Sequence, residues 1–104
     1  MDLKEAQKKS GMLNEKFKEK RKTEWRPEVM FTDLVEEVGE LANAILTKQG
    51  FKSEKRKKSD LADSLCDIMF DVFMIAEYYG IDIDKEFTKV LKGLEKRLDK
   101  GDFD

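Results

Sequence analysis

Carboxylates at helical spacing are the residues of this chain best placed to do chemistry. Asp60, Asp63, Asp67 and Asp71 recur three or four positions apart, and Glu36, Glu37 and Glu40 cluster upstream of them. All-oxygen donors of this kind suit a hard divalent cation. The chain has no histidine, which removes the Glu-x-x-His pairs of di-iron bundles. Its single cysteine, Cys66, can make neither an internal disulfide nor a cysteine-pair zinc site, and reads as a small buried hydrophobe of a reducing compartment.

At about 100° per residue the four aspartates fall on one helical stripe about 80° wide. Leu61, Leu65, Ile68, Met69, Val72, Ile75, Ala76 and Tyr79 flank it on one side, and Cys66, Phe70 and Met74 on the other. No Lys or Arg occurs from Leu61 to Tyr79. A helix apolar around most of its circumference expects burial, and buried carboxylates are costly unless paired or bound to a metal. The stripe is therefore either a cation seat or an ordinary solvated face, with Asp67 and Asp71 as edge residues or partners of lysines elsewhere.

Glu37 and Glu40, three apart, project from neighbouring turns of one face. The apolar set Phe31, Leu34, Val35, Val38, Leu41, Ala42 and Ile45 marks the expected core side of that helix. Asp33, Glu36 and Glu40 lie opposite it and Glu37 at its border, so periodicity alone makes Glu36 and Glu40 surface residues. Gly39 costs about 0.5–1 kcal/mol in mid-helix. It marks a close approach of another group, or is simply tolerated.

Four helices must position these groups. The first is expected over Leu3–Lys22, weakened at Ser10-Gly11. The second follows Trp25-Arg26-Pro27 and runs to Lys48, with Gly50 as a stop signal. The segment from Lys52 to Lys58 is rich in Lys and Arg and reads as a solvated connection. Ser59 is the expected N-cap of a third helix ending at Tyr79-Gly80, and Asp82 or Asp84 opens a fourth that reaches Lys100. No strand-like alternation competes, so the fold class is all-α: one domain, residues 1–104, built as a four-helix bundle.

Composition narrows the partners. Lys plus Arg number 21 and Asp plus Glu 23, a formal charge of −2. Without a basic field, nucleic acid is disfavoured as a partner. No apolar run approaches the ~18 residues of a membrane span, and the charged N-terminus lacks a signal-peptide stretch, so a cytoplasmic location with no membrane contact is expected.

Taken together, Glu37-Val38-Gly39-Glu40 within LVEEVGELANAI, Asp60-Leu61-Ala62-Asp63 within DLADSLCDIMFD, and the later YYGIDID resemble the MazG-like family of all-α nucleotide pyrophosphohydrolases. The tract KRKTEWRPEVMFTDL also looks like these proteins, and the resemblance spans roughly residues 15–98. The family signature is E-x-x-E followed on the next helix by E-x-x-D. Here Asp60 stands where the family usually has Glu, so a cation would sit closer to that helix, be reached through water, or be carried partly by Asp67.

The resemblance implies hydrolysis of a nucleoside triphosphate to the monophosphate and pyrophosphate, a nucleotide-pool house-cleaning reaction. It implies Mg²⁺, with Mn²⁺ as a substitute, held by Glu37, Glu40, Asp60, Asp63 and Asp67. Glu36 or Glu37 would orient or deprotonate the attacking water. Trp25, with Phe17 second, would take the base, each being alternatively a plain hydrophobic plug. Many relatives carry an Asn and a basic residue late in the fourth helix. Here Lys89, Lys92, Lys96 and Arg97 occupy that region without an Asn, leaving Lys92, Lys96 and Arg97 as the phosphate contacts. A homodimer or homotetramer is implied, since an all-round apolar third helix in so short a chain needs cover. Two alternatives stay open: a catalytically weak or inactive nucleotide-binding or helical interaction module, and a phosphoribosyl-ATP pyrophosphohydrolase.

Overall fold

The computed structural model describes residues 1–58 and 60–104, and the expected cap Ser59 lies outside the described residues. Four α-helices and no strand are found among them: α1 (Leu3–Arg21), α2 (Pro27–Lys48), α3 (Leu61–Tyr79) and α4 (Ile83–Asp99). The fold class read from the sequence is thus observed.

Each boundary has a local cause. Asp2 caps α1 by accepting from the Glu5 amide at 2.9 Å, and Lys22 ends it in the left-handed region. Pro27 occupies the first turn of α2, where its missing N–H is no loss. Gly80 terminates α3 at φ +66°, a conformation glycine adopts without strain, and Ile81 N–H closes on the Ala76 carbonyl at 2.9 Å. Asp82 then caps α4 through the Lys85 amide. Asp60, extended, takes the N-cap position of α3 without a side-chain capping bond.

Helices α2 and α3 form the principal pair, antiparallel, with Glu37 against Asp67, Asp33 against Asp71 one turn on, and Met30 and Met74 beyond. Helix α1 crosses back over α3. Phe17 meets Phe70 edge-on at 6.4 Å, and a Cβ at Gly11 would lie 3.0 Å from Glu77 Oε2. A side chain at this point of α1 would press on the end of the Glu77 side chain. Gln7 fastens the other end. Its Nε2 donates to Glu77 Oε1 and to the Ile81 carbonyl, and its Oε1 accepts from the Ile83 amide.

The buried apolar core is small: Met30, Ala44, Phe73, Met74 and Ala76. Here the structure corrects two expectations. Helix α2 turns Met30, Ala44 and Thr47 inward, while Phe31, Val35, Val38 and Ile45, expected in the core, are 44–60% exposed. Both faces of α2 carry apolar residues at helical spacing, and α3 meets the one that also bears the carboxylates. Cys66, expected buried, is likewise exposed. Helix α4 buries no residue, leaving Phe87, Val90, Leu91, Leu94 and Leu98 open. An apolar groove of about 400 Å³ between α3, α4 and Leu3 runs beside them. The radius of gyration, 16.9 Å, exceeds the roughly 13 Å of a compact chain this long.

Candidate active site

The α2–α3 seam brings carboxylates together. One oxygen each from Glu37, Glu40 and Asp67 lies within 4.8 Å of the others. These residues come from facing turns of antiparallel helices, so backbone geometry gathers them without help from a loop. Glu37 Oε2 is buried and has no hydrogen-bond partner. Burial, reinforced by the charges of Glu40, Asp67 and Asp33 and by a hydrogen bond with Glu40, pushes the Glu37 carboxyl up to about 7.

One turn along the seam, Asp71 is 2% exposed, and its Oδ2 also lacks a partner. Burial first, then a hydrogen bond and the charge of Asp33, then the charges of Glu37 and Asp67, push its carboxyl up to about 8. Among the described residues no Lys or Arg forms an ion pair with Asp33, Glu37, Glu40, Asp67 or Asp71. Orphaned, close-set oxygens without a basic partner fit a hard divalent cation such as Mg²⁺.

The other sequence candidates sit elsewhere. Asp60 accepts from Lys57 Nζ at 2.9 Å, which holds its carboxyl below the usual carboxylate range, and Asp63 is exposed in the first turn of α3, outside the group of three. Glu36 is exposed beside Glu37. Trp25 is half-buried, and the Arg21 guanidinium lies 4.2 Å from its ring centroid and 5.9 Å from that of Phe17. Trp25 also lines a cavity of about 330 Å³ with Asn14, Glu24, Met30, Met74 and Tyr78. Lys92, Lys96 and Arg97 are exposed on α4, and Arg97 pairs with Asp102 and stacks on Phe103.

A MazG nucleotide pyrophosphohydrolase domain matches residues 26–101, which include both carboxylate-bearing helices. The chain belongs to the MazG nucleotide pyrophosphohydrolase family. No curated protein and no solved structure matched it. Membership points this MazG domain to nucleotide pyrophosphohydrolase chemistry, enzymes of this family typically need a divalent metal, and α2 and α3 carry a group of carboxylates whose spacing could hold one. Among the described residues no helix is long and apolar enough to cross a membrane.

Asp33, Asp71 and Arg21 join these sites although none is among the residues that the family resemblance implies. Asp33 and Asp71 share the spacing of the chosen carboxylates, three or four positions from a neighbour, and that spacing is the signal that finds them. Arg21 stands four residues after Phe17 and four before Trp25. The latter lies past the end of α1, where helical periodicity gives no guidance.

Proposed function

We propose that this MazG domain hydrolyses a nucleoside triphosphate between its α- and β-phosphates, releasing the monophosphate and pyrophosphate as a nucleotide-pool house-cleaning reaction. The observation that carries the reading is the convergence of Glu37, Glu40 and Asp67 oxygens within 4.8 Å, with a buried, unpartnered Glu37 oxygen among them. These three are the proposed ligands of Mg²⁺, with Mn²⁺ as a substitute, and Asp63 stands one turn further along the same stripe. When bound, such an ion neutralises phosphate oxygens and lowers the pKa of a coordinated water.

The chain's own groups divide the remaining work. Glu36, exposed and next to Glu37 in the chain, and Glu37 are the proposed residues that orient the water and accept its proton. The cavity beside Trp25 is the proposed seat of the base, with Phe17 a secondary contact.

Lys92, Lys96 and Arg97 are the proposed phosphate contacts. They lie on a helix with no buried residue, so a homodimer or homotetramer in which a neighbouring copy supplies them is part of the same reading. The exposed apolar residues of α2 and α4 support that assembly.

Phosphate release coupled to added pyrophosphatase, measured with and without Mg²⁺ across canonical and modified triphosphates, tests the proposal. Glu40→Gln is expected to lower turnover at least a hundredfold and leave the helical signal intact. Nucleotide binding without Mg²⁺-dependent release would point instead to a non-hydrolysing binding module.

A further inference from the structure

We propose that Asp33 and Asp71 build a second cation seat, one helical turn along the α2–α3 seam from Glu37, Glu40 and Asp67. This rests on the reading that the latter three hold a divalent ion, and adds a site to it. Three observations carry the proposal.

Asp71 is 2% exposed, yet its Oδ2 has no hydrogen-bond partner. Asp33 faces Asp71 across the seam, at the level between the Glu37–Asp67 and Met30–Met74 rungs and close enough for the two carboxyls to share a proton. A single shared proton can serve that one contact and leaves Oδ2 unmatched. A cation coordinated from the Oδ2 side satisfies the remaining lone pairs.

One ion cannot serve both groups. Oxygen ligands of an octahedral Mg²⁺ sit about 2.1 Å from it and hence at most about 4.2 Å apart. Asp71 offers no oxygen to the set that meets within 4.8 Å. Its place one turn along α3 corresponds to an axial step of about 6 Å.

Charge points the same way. Asp33, Glu37, Glu40, Asp67 and Asp71 are five carboxylates without an ion-paired Lys or Arg among the described residues. When all are ionised, one divalent cation leaves three negative charges unbalanced and a second leaves one. Asp33 is half-buried, so its side of the seat can supply water ligands, as Mg²⁺ prefers.

The test is a Mn²⁺ titration of the full chain without nucleotide, following free Mn²⁺ by electron paramagnetic resonance. Two Mn²⁺ per chain are expected in the unaltered protein, with dipolar broadening from a pair on the order of 6 Å apart. Asp71→Asn keeps the shape and removes the charge, and should reduce the count to one and abolish the broadening. Asp33→Asn should weaken the same ion at least tenfold. Glu40→Gln should remove the other ion and spare this one.

A single Mn²⁺ in the unaltered chain, lost in Glu40→Gln and untouched by Asp71→Asn, overturns the second seat and leaves the proposed function standing. A shared proton or a buried water at Asp71 gives that same result. No bound Mn²⁺ at all removes both readings. Should Asp71→Asn fail to fold, the count and broadening in the unaltered chain still decide.

Discussion

Arg21 lays its guanidinium over Trp25, with 4.2 Å between the guanidinium carbon and the ring centroid. One face of the indole is therefore occupied within the chain, and a base entering the adjoining cavity has the remaining surface to use. Stacking of a base on an aromatic ring is worth about 1–3 kcal/mol. Trp25→Ala is expected to raise KM for the triphosphate on the order of tenfold, with kcat changed much less. Trp25 is the chain's sole tryptophan, so its fluorescence reports binding directly. Unchanged emission on saturating nucleotide would place the base elsewhere.

The Gln7 amide makes three hydrogen bonds at a buried position, to Glu77, the Ile81 carbonyl and the Ile83 amide. Gln7→Ala removes all three bonds, each worth about 0.5–1.5 kcal/mol net. A fall in the urea midpoint with an unchanged slope is expected. A midpoint within experimental error of the parent would show that water replaces the amide at no cost.

Acidity near the seam sets how stability responds to pH. Glu37 and Asp71 hold their protons to about 7 and about 8 in the folded chain, against ordinary values of 4.5 and 3.8. Because the folded state binds more protons than the unfolded one between those limits, what these two groups contribute to stability is greatest below about pH 4. It is lost as pH rises through the folded values. In EDTA the melting temperature should therefore drop from pH 5 to pH 8.5, and Asp71→Asn should flatten the slope. Mg²⁺, which favours the ionised carboxylates, should raise the melting temperature most at the alkaline end. A flat profile in EDTA would remove the buried-carboxyl account.

Leu94 lies with Val90, Leu91 and Leu98 on the open face of α4. If a second copy covers that face, Leu94→Glu places an unpaired charge in the contact and should shift the sedimentation coefficient to that of a single chain. Activity should fall in parallel, because Lys92, Lys96 and Arg97 ride on the same helix. An unaltered coefficient, or a monomeric parent, would show that α4 meets no copy of itself.

The sequence announces its helices clearly because their ends carry unambiguous chemistry: Pro27 in a first turn, Gly80 in the left-handed region, Asp82 on the Lys85 amide. Rotation about each helix axis is less visible. Phe31, Val35, Val38 and Ile45 make as good an apolar face as Met30 and Ala44, and spacing alone does not say which one α3 will meet.

The carboxylates show the same division. Periodicity aligns Asp60, Asp63, Asp67 and Asp71 on one stripe. Which rung faces Glu37 and Glu40 depends on how far the connection after Lys48 carries the chain before it turns back. That distance places Asp67 opposite them and leaves Asp60 with Lys57. Proximity in three dimensions, absent from a linear pattern, also sets Arg21 on Trp25.

The shared family region starts at residue 26, yet Gln7, Gly11 and Phe17 all precede it. Gln7 ties the α3–α4 corner, Gly11 leaves room for Glu77 and Phe17 packs on Phe70. The packing of the matched stretch accordingly draws on residues that precede it. A version trimmed to that stretch would bare Met74 and Phe73 along the flank that α1 now shields.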